Sequence, residues 1–223
     1  MVQNFYIEKY NTVFEPGCKV IYGPHAASGH LLCIAAEIAV RQPLHLLDFG
    51  NRCDMYFAAR QLRFLTRDPA AAMQNIRLQR AFTCYQAAAL LRQIENMEPG
   101  LPVIILDLLA PFLDENIRSN EIFRLFGESV DLLRDAMRTR LLLIGVKPVP
   151  QKLAPDRVRL VNDLAKNFGL IEMRYLEDHS RSGYQLRPAM LVFHSEGNLP
   201  EKNKAELRSG QMSLFDWQQT AGK

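Results

Sequence analysis

Short apolar runs of strand length alternate along the chain with longer stretches in which apolar residues recur every three or four positions. Residues 19–22 form the first run and lead into Gly23-Pro24. Residues 28–41 then place Leu31, Leu32, Ala35, Ile38 and Ala39 on one helical face, with Ser28 as the expected N-cap. The alternation continues with strands over 44–49, 76–81, 103–109 and 141–146 and helices over 54–65, 85–96, 122–137 and 157–167. The runs 103–109 and 141–146 are apolar almost without a break, as strands covered on both faces of a parallel sheet are. Residues 170–175 and 184–193 read as the arms of a closing hairpin, with Ser182-Gly183 near its turn. The pattern predicts an α/β fold: a mostly parallel twisted sheet, helices on both faces, and a closing β-hairpin.

From about residue 195 the periodicity stops. Residues 196–210 are rich in Glu, Lys, Asn, Gly and Pro and read as a flexible linker. A C-terminal tail over 211–223 carries an apolar island of Met212, Leu214, Phe215 and Trp217. The expected organisation is a core over 1–195, the linker, and the tail.

Composition narrows the function classes. A chain of 223 residues with 48% apolar and 23% charged residues can bury a sizeable core, which excludes wholesale disorder. Charge interrupts every apolar stretch before it could span a bilayer, and residues 1–10 do not form a basic region followed by an apolar one. The expectation is a cytoplasmic chain with no membrane partner. Cys18, Cys33, Cys53 and Cys84 are widely spaced and form no C-x-x-C pair, and the five histidines are scattered, so thiols in a reducing compartment are expected rather than a disulfide framework or a metal site. The net charge of +3 is compatible with nucleic acid and proves nothing about it.

The first strand–turn–helix occupies the place of a phosphate-binding loop. Gly23-Pro24-His25-Ala26-Ala27-Ser28-Gly29-His30-Leu31 resembles G-x-x-x-x-G-K-[ST], but five residues separate Gly23 from Gly29. His30 and Leu31 stand where the lysine and the magnesium-binding hydroxyl belong. Hydrogen bonds to charged groups contribute roughly 1.5–3 kcal/mol each, so losing both partners weakens nucleotide binding by orders of magnitude. Two readings stay open: a helix N-terminus that still offers N–H groups to an anion, or a turn kept for the fold alone.

With that turn placed, the chain resembles the ATPase core of the RecA/RadA recombinase superfamily, over about residues 13–195. The resemblance rests on Asp68-Pro69, then Asn75-Ile76-Arg77-Leu78-Gln79-Arg80-Ala81-Phe82 and Tyr85-Gln86, which is similar to the family's "Asn-Ile-x-x-x-Arg-Ala-Phe" stretch and its closing Gln. Leu46-Leu47-Asp48-Phe49-Gly50-Asn51-Arg52 and Arg60 resemble the second core strand and its helix, and Val103-Ile104-Ile105-Leu106-Asp107 resembles a Walker B strand. The resemblance implies a RecA-like sheet. It also marks the departures: Gly50 stands at the position of the catalytic glutamate, and Val146 or Lys147 replaces the glutamine that senses the γ-phosphate. Asp107 without a Walker A hydroxyl is half a magnesium site, or a carboxylate that caps a turn. The implied protein is a non-catalytic RadA-like paralogue without a cofactor, acting as an accessory factor in DNA repair, recombination or damage tolerance with a repair polymerase or recombinase subunit as partner. The alternative is an ATP-dependent repair ATPase or switch with an altered loop.

Two further groups of residues carry chemistry. Lys147, Lys152, Arg157 and Arg159 occupy the connection where the recombinases carry one DNA-binding loop, and Arg118 and Arg124 fall near the other. Converging, they would track phosphates without reading sequence; dispersed, they are a solvated surface. In the tail, Gln211-Met212-Ser213-Leu214-Phe215 matches Q-x-x-L-F, the pentapeptide by which bacterial proteins dock on the DNA polymerase sliding clamp. Leu214 and Phe215 would fill an apolar pocket, with the Gln211 amide at its rim. The competing reading is a tail that folds back on its own core.

Overall fold

In a computed structural model of the chain, residues 16–23, 26–148, 155–174 and 190–194 are described. The sheet has seven strands in the order β3-β2-β4-β5-β1-β6-β7. They are β1 (Gly17–Tyr22), β2 (Leu44–Asp48), β3 (Ile76–Arg80), β4 (Val103–Leu106), β5 (Leu141–Val146), β6 (Leu170–Arg174) and β7 (Met190–His194). All neighbours pair parallel except β6 and β7, which pair antiparallel. The chain is therefore an α/β protein built on a parallel sheet, closed on one side by an antiparallel strand.

The helices are α1 (Leu31–Ala39), α2 (Met55–Leu65), α3 (Pro69–Gln74), α4 (Cys84–Gln93), α5 (Ser119–Ala136) and α6 (Pro155–Phe168). They form two layers, because successive side chains on each strand point to opposite faces. Val20, Leu47, Ile105, Leu142 and Ile144 face α4, α5 and α6; Ile21, Leu46, Ile104, Leu141 and Leu143 face α1, α2 and α3. This is why β4 and β5 carry apolar residues at consecutive positions: neither face meets water. Each such side chain contributes about 1.5–3 kcal/mol by burial. Among the described residues no helix is long and apolar enough to cross a membrane.

Caps and breaks explain where the elements stop, and several differ from the expectation. The first helical segment opens as a π turn over Ala26–His30, so Ser28 lies inside a helical run and cannot cap it; no side chain caps α1. Asp54 caps α2 by accepting from the N–H groups of Tyr56 and Phe57. Asp68-Pro69 starts α3, an unanticipated helix, with the Asp68 carboxylate on the Ala71 N–H and the proline in the first turn. Thr83 caps α4. Strand β4 ends at Leu106 and not at 109, because Asp107 takes φ 58°, outside the β region. Helix α5 starts three residues earlier than the apolar period indicates, since its first turn, from Ser119, is polar. The expected hairpin arms pair as Leu170↔His194 through Arg174↔Met190, whereas 184–189 and the turn at Ser182-Gly183 lie outside the described residues.

Candidate functional site

Parallel pairing brings the carboxyl ends of β1, β2, β4 and β5 to one edge of the sheet. Gly23 follows β1, Asp48 ends β2 with Gly50 just beyond it, and Asp107 and Lys147 follow β4 and β5. Ligands of open α/β sheets gather at such an edge, because loops and helix N-termini surround it.

Asp48 ends β2 fully buried, and its carboxylate is used up locally. It accepts from the backbone N–H groups of Arg52 (2.8 Å) and Cys53 (3.0 Å) and from Arg80 Nε (3.3 Å). These bonds fold the 49–53 loop back over the strand end and tie it to edge strand β3. Inside that loop Asn51 takes φ 51°, a conformation its short polar side chain tolerates.

Asp107 follows β4, also buried. Lys147 Nζ, at the end of neighbouring β5, lies 3.8 Å from Asp107 Oδ2. Burial pushes the Asp107 carboxyl above the ordinary range, opposed by the Lys147 ammonium, a hydrogen bond from the Lys147 backbone N–H, and the Arg52 charge. Gly50 packs against this side chain: a Cβ at position 50 would stand 2.6 Å from Asp107 Cβ and 2.7 Å from Oδ2. With Asp107 in this position, only glycine fits at 50. The position that the resemblance assigns to a catalytic glutamate therefore has no room for one.

His30 closes the π turn half-buried, and burial holds its imidazole below the usual histidine value. Burial thus disfavours the imidazolium that a phosphate would need. Leu31 leaves the edge altogether, wholly buried between α1 and the sheet. Around Gly29 a Cβ would meet nothing within 4 Å, so that glycine is not required by close packing. No group of three or more His, Cys, Asp or Glu side chains able to hold a metal occurs among the described residues. The four thiols are free, with burial pushing Cys18 up to about 12 and Cys33 and Cys53 up to about 11.

The six expected phosphate-tracking cations take different places. Arg157 is 2% exposed and donates through Nη2 to the carbonyls of Ile117 (2.6 Å) and Asp114 (3.2 Å), so it braces the approach to α5 and is no surface cation. The charge pattern misplaces it because a charged residue reads as exposed unless its partners are known. Arg124 is held by Glu121 and Glu128 on its own helix, and Lys147 pairs with Asp107. Arg118 is exposed at the start of α5; Arg159 is exposed with its guanidinium 6.0 Å from the Phe123 ring centroid. Lys152 lies outside the described residues, as do the linker and the tail with Gln211, Leu214 and Phe215.

Sequence reasoning missed the buried polar residues at the amino edge of the sheet. Among the described residues, His45 has no hydrogen-bond partner for either ring nitrogen, and Arg140 reaches only the Met97 carbonyl, at 3.5 Å. Burial, then the Arg77 and Arg140 charges, hold the His45 imidazole low. No local signal marks either residue, since each is buried by strands distant in sequence.

The fold and this edge define a class: an α/β protein with a parallel sheet whose carboxyl-edge carboxylates are engaged by the protein's own cations. No protein-family model and no curated protein matches the chain.

Proposed function

We propose that the chain is a non-catalytic RecA-like accessory protein in DNA repair or damage tolerance, linking protein partners to the sliding clamp through its tail. The observation that carries the first half is the Lys147–Asp107 pair, 3.8 Å apart. A Walker B aspartate serves by holding hydrated magnesium against the phosphates. Here a lysine on the adjacent strand takes that charge, no hydroxyl stands at Leu31, and Gly50 cannot be enlarged to orient water. The parallel sheet with two helical layers supports the resemblance on which the repair role rests. The Q-x-x-L-F peptide over 211–215 supports the clamp.

Calorimetric titration of ATP with magnesium into the full chain tests the first half. No binding tighter than micromolar is expected, and no turnover with or without DNA; turnover abolished by Asp107→Asn overturns the reading. For the tail, Leu214→Ala with Phe215→Ala is expected to abolish clamp binding at an unchanged melting midpoint. Two anchors in a partner pocket are worth roughly 1.5–3 kcal/mol each, enough to take a micromolar contact beyond detection. A midpoint lowered by several degrees, with no clamp binding in the unmodified chain, establishes a folded-back tail instead.

A further inference from the structure

Charge pairing differs across the molecule in a way the functional reading does not use. On α4, α5 and the turn after α5 the arginines are matched: Arg92 with Glu128, Arg124 with Glu121 and Glu128, Arg134 with Asp131 and Arg138 with Asp135. On the outward face of α2 they are not. Tyr56, Arg60, Arg63 and Phe64 recur at helical spacing, and Arg67 continues the stripe past the helix end. Arg60, Arg63 and Arg67 pair with no carboxylate among the described residues. The acids that flank the stripe in sequence, Asp54 and Asp68, already cap α2 and α3.

The same stripe is apolar out of proportion to its exposure. Tyr56 is 92% exposed and Phe64 67%, with Leu65 beside them. A groove of about 310 Å³ runs along the helix, lined by Asp54, Tyr56, Phe57, Ala59, Arg60 and Arg63. The Arg60 guanidinium lies 5.5 Å from the Phe57 ring centroid, which holds it at the groove wall. Tyr and Arg are the residues that dominate binding energy at protein interfaces, whereas Lys is depleted there. Every exposed cation of this stripe is Arg, and none is Lys. Arginine's planar fork also suits bidentate pairing with carboxylates.

We infer that the outward face of α2 docks an acidic amphipathic segment of a partner protein, its apolar side chains in the groove between Tyr56 and Arg63 and its carboxylates on Arg60, Arg63 and Arg67. The charge complementarity selects the occupant. A second copy meeting α2 through α4 or α5 would bring acids already committed to arginines. A nucleic acid would supply phosphates but nothing aliphatic for the groove beside Ala59. This site extends the accessory role by giving the chemistry of a second partner, yet it shares no residue with the carboxyl edge or the tail. Failure of the ATP or clamp experiments leaves it standing, and its own failure leaves them standing.

The test uses the full chain and three labelled probes in fluorescence anisotropy: a synthetic helix-forming peptide with Leu and Phe on one face and Glu beside them, the same peptide with Lys for Glu, and an oligothymidylate. The Glu peptide is expected to bind and the Lys peptide not. Arg60→Glu with Arg63→Glu should weaken the Glu peptide roughly tenfold or more and let the Lys peptide bind. Tyr56→Ala with Phe64→Ala should weaken the Glu peptide to a similar degree, while Arg134→Ala with Arg138→Ala should leave it unchanged. Since all four α2 side chains are exposed or line the groove, melting midpoints should stay within a degree or so of the unmodified chain. Absence of Glu-peptide binding, binding indifferent to the α2 substitutions, or oligothymidylate binding that depends on the same four residues each overturns the proposal.

Discussion

The two helical layers rest on the same sheet but present different surfaces. The α4–α6 layer is the more self-contained: Arg92, Arg124 and Arg134 pair with acids a turn away or on the next helix, Arg159 stands over the Phe123 ring, and Arg157 is drawn inside to hold two backbone carbonyls. Among the described residues, the α1–α3 layer leaves Arg60, Arg63 and Arg67 without acids and Tyr56 and Phe64 exposed. Both layers bury their inner faces completely, so stability does not distinguish them. What distinguishes them is where arginine is spent on the chain itself and where it is left available. The carboxyl edge belongs to the first kind, since Asp48 and Asp107 are both answered by cations within the chain.

The sharpest way to break the comparison is to remove one arginine from each layer. Arg157→Ala leaves the carbonyls of Asp114 and Ile117 unpaired and a hole at the α5–α6 junction, at a cost of about 3 kcal/mol. In a domain of this size that lowers the melting midpoint by roughly 6–12 °C by calorimetry. Arg63→Ala should change stability by less than about 0.5 kcal/mol. Equal losses would end the distinction.

Next comes the edge between the layers. Gly50→Ala forces a Cβ against Asp107 and should cost about 1–3 kcal/mol in denaturant unfolding. Asp107→Gly removes the opposing Cβ and relaxes the backbone at φ 58°. The double variant should therefore recover most of the loss, whereas additive losses would show that Asp107 does not define position 50.

Acid should separate the layers by pH. His30 beside α1 has a folded pKa below its ordinary 6.5, so the unfolded chain takes up the proton first. Its contribution is complete above about pH 6.5 and declines as pH falls through the window beneath it. Burial raises Glu37 on the same helix, which works in the opposite sense nearer its ordinary 4.5, so the informative quantity is a difference between variants. Between pH 7 and 5 the midpoint of His30→Gln should fall less than that of the unmodified chain. On the other layer, the hydrogen bond from Arg124 lowers Glu121, whose contribution is present above 4.5 and lost only as pH falls through the lowered value. Glu121→Gln should thus match the unmodified chain's slope between pH 7 and 5 and diverge only below that.

The smallest effect concerns the exposed pair of Arg92 and Glu128. A double-mutant cycle on these residues should return no more than about 1 kcal/mol, and less at high salt. A larger coupling would make the surface pairing of that layer a stability device instead of a way of neutralising its arginines.

Most of this architecture was readable in the amino-acid order. Residues 141–146 and 103–109 could be recognised as buried strands because runs apolar almost throughout suit no amphipathic element, although the second strand stops at Leu106. Helix α3 escaped because six residues rich in alanine carry no apolar period, although Asp68-Pro69 is a sufficient start signal. At the site, Asp107, Lys147 and Gly50 could each be singled out by position in the motif order. Their contacts could not, because 107 and 147 meet only through the pairing of β4 with β5, and 50 and 107 only through that of β2 with β4.

Local order determined most of the strands and helices, that β4 and β5 are covered on both faces, and that His30 and Leu31 stand where the resemblance expects a lysine and a hydroxyl. These follow from periodicity and residue chemistry, which act over a few residues at a time. The tertiary structure alone decided that β5 lies between β1 and β4, that Lys147 pairs with Asp107, that Arg157 is internal, and that the arginines of α2 are exposed without acids among the described residues. Each of those depends on pairing between segments far apart in the chain. Such pairing is set by which buried faces fit one another across the whole domain, and no short stretch of sequence carries that information.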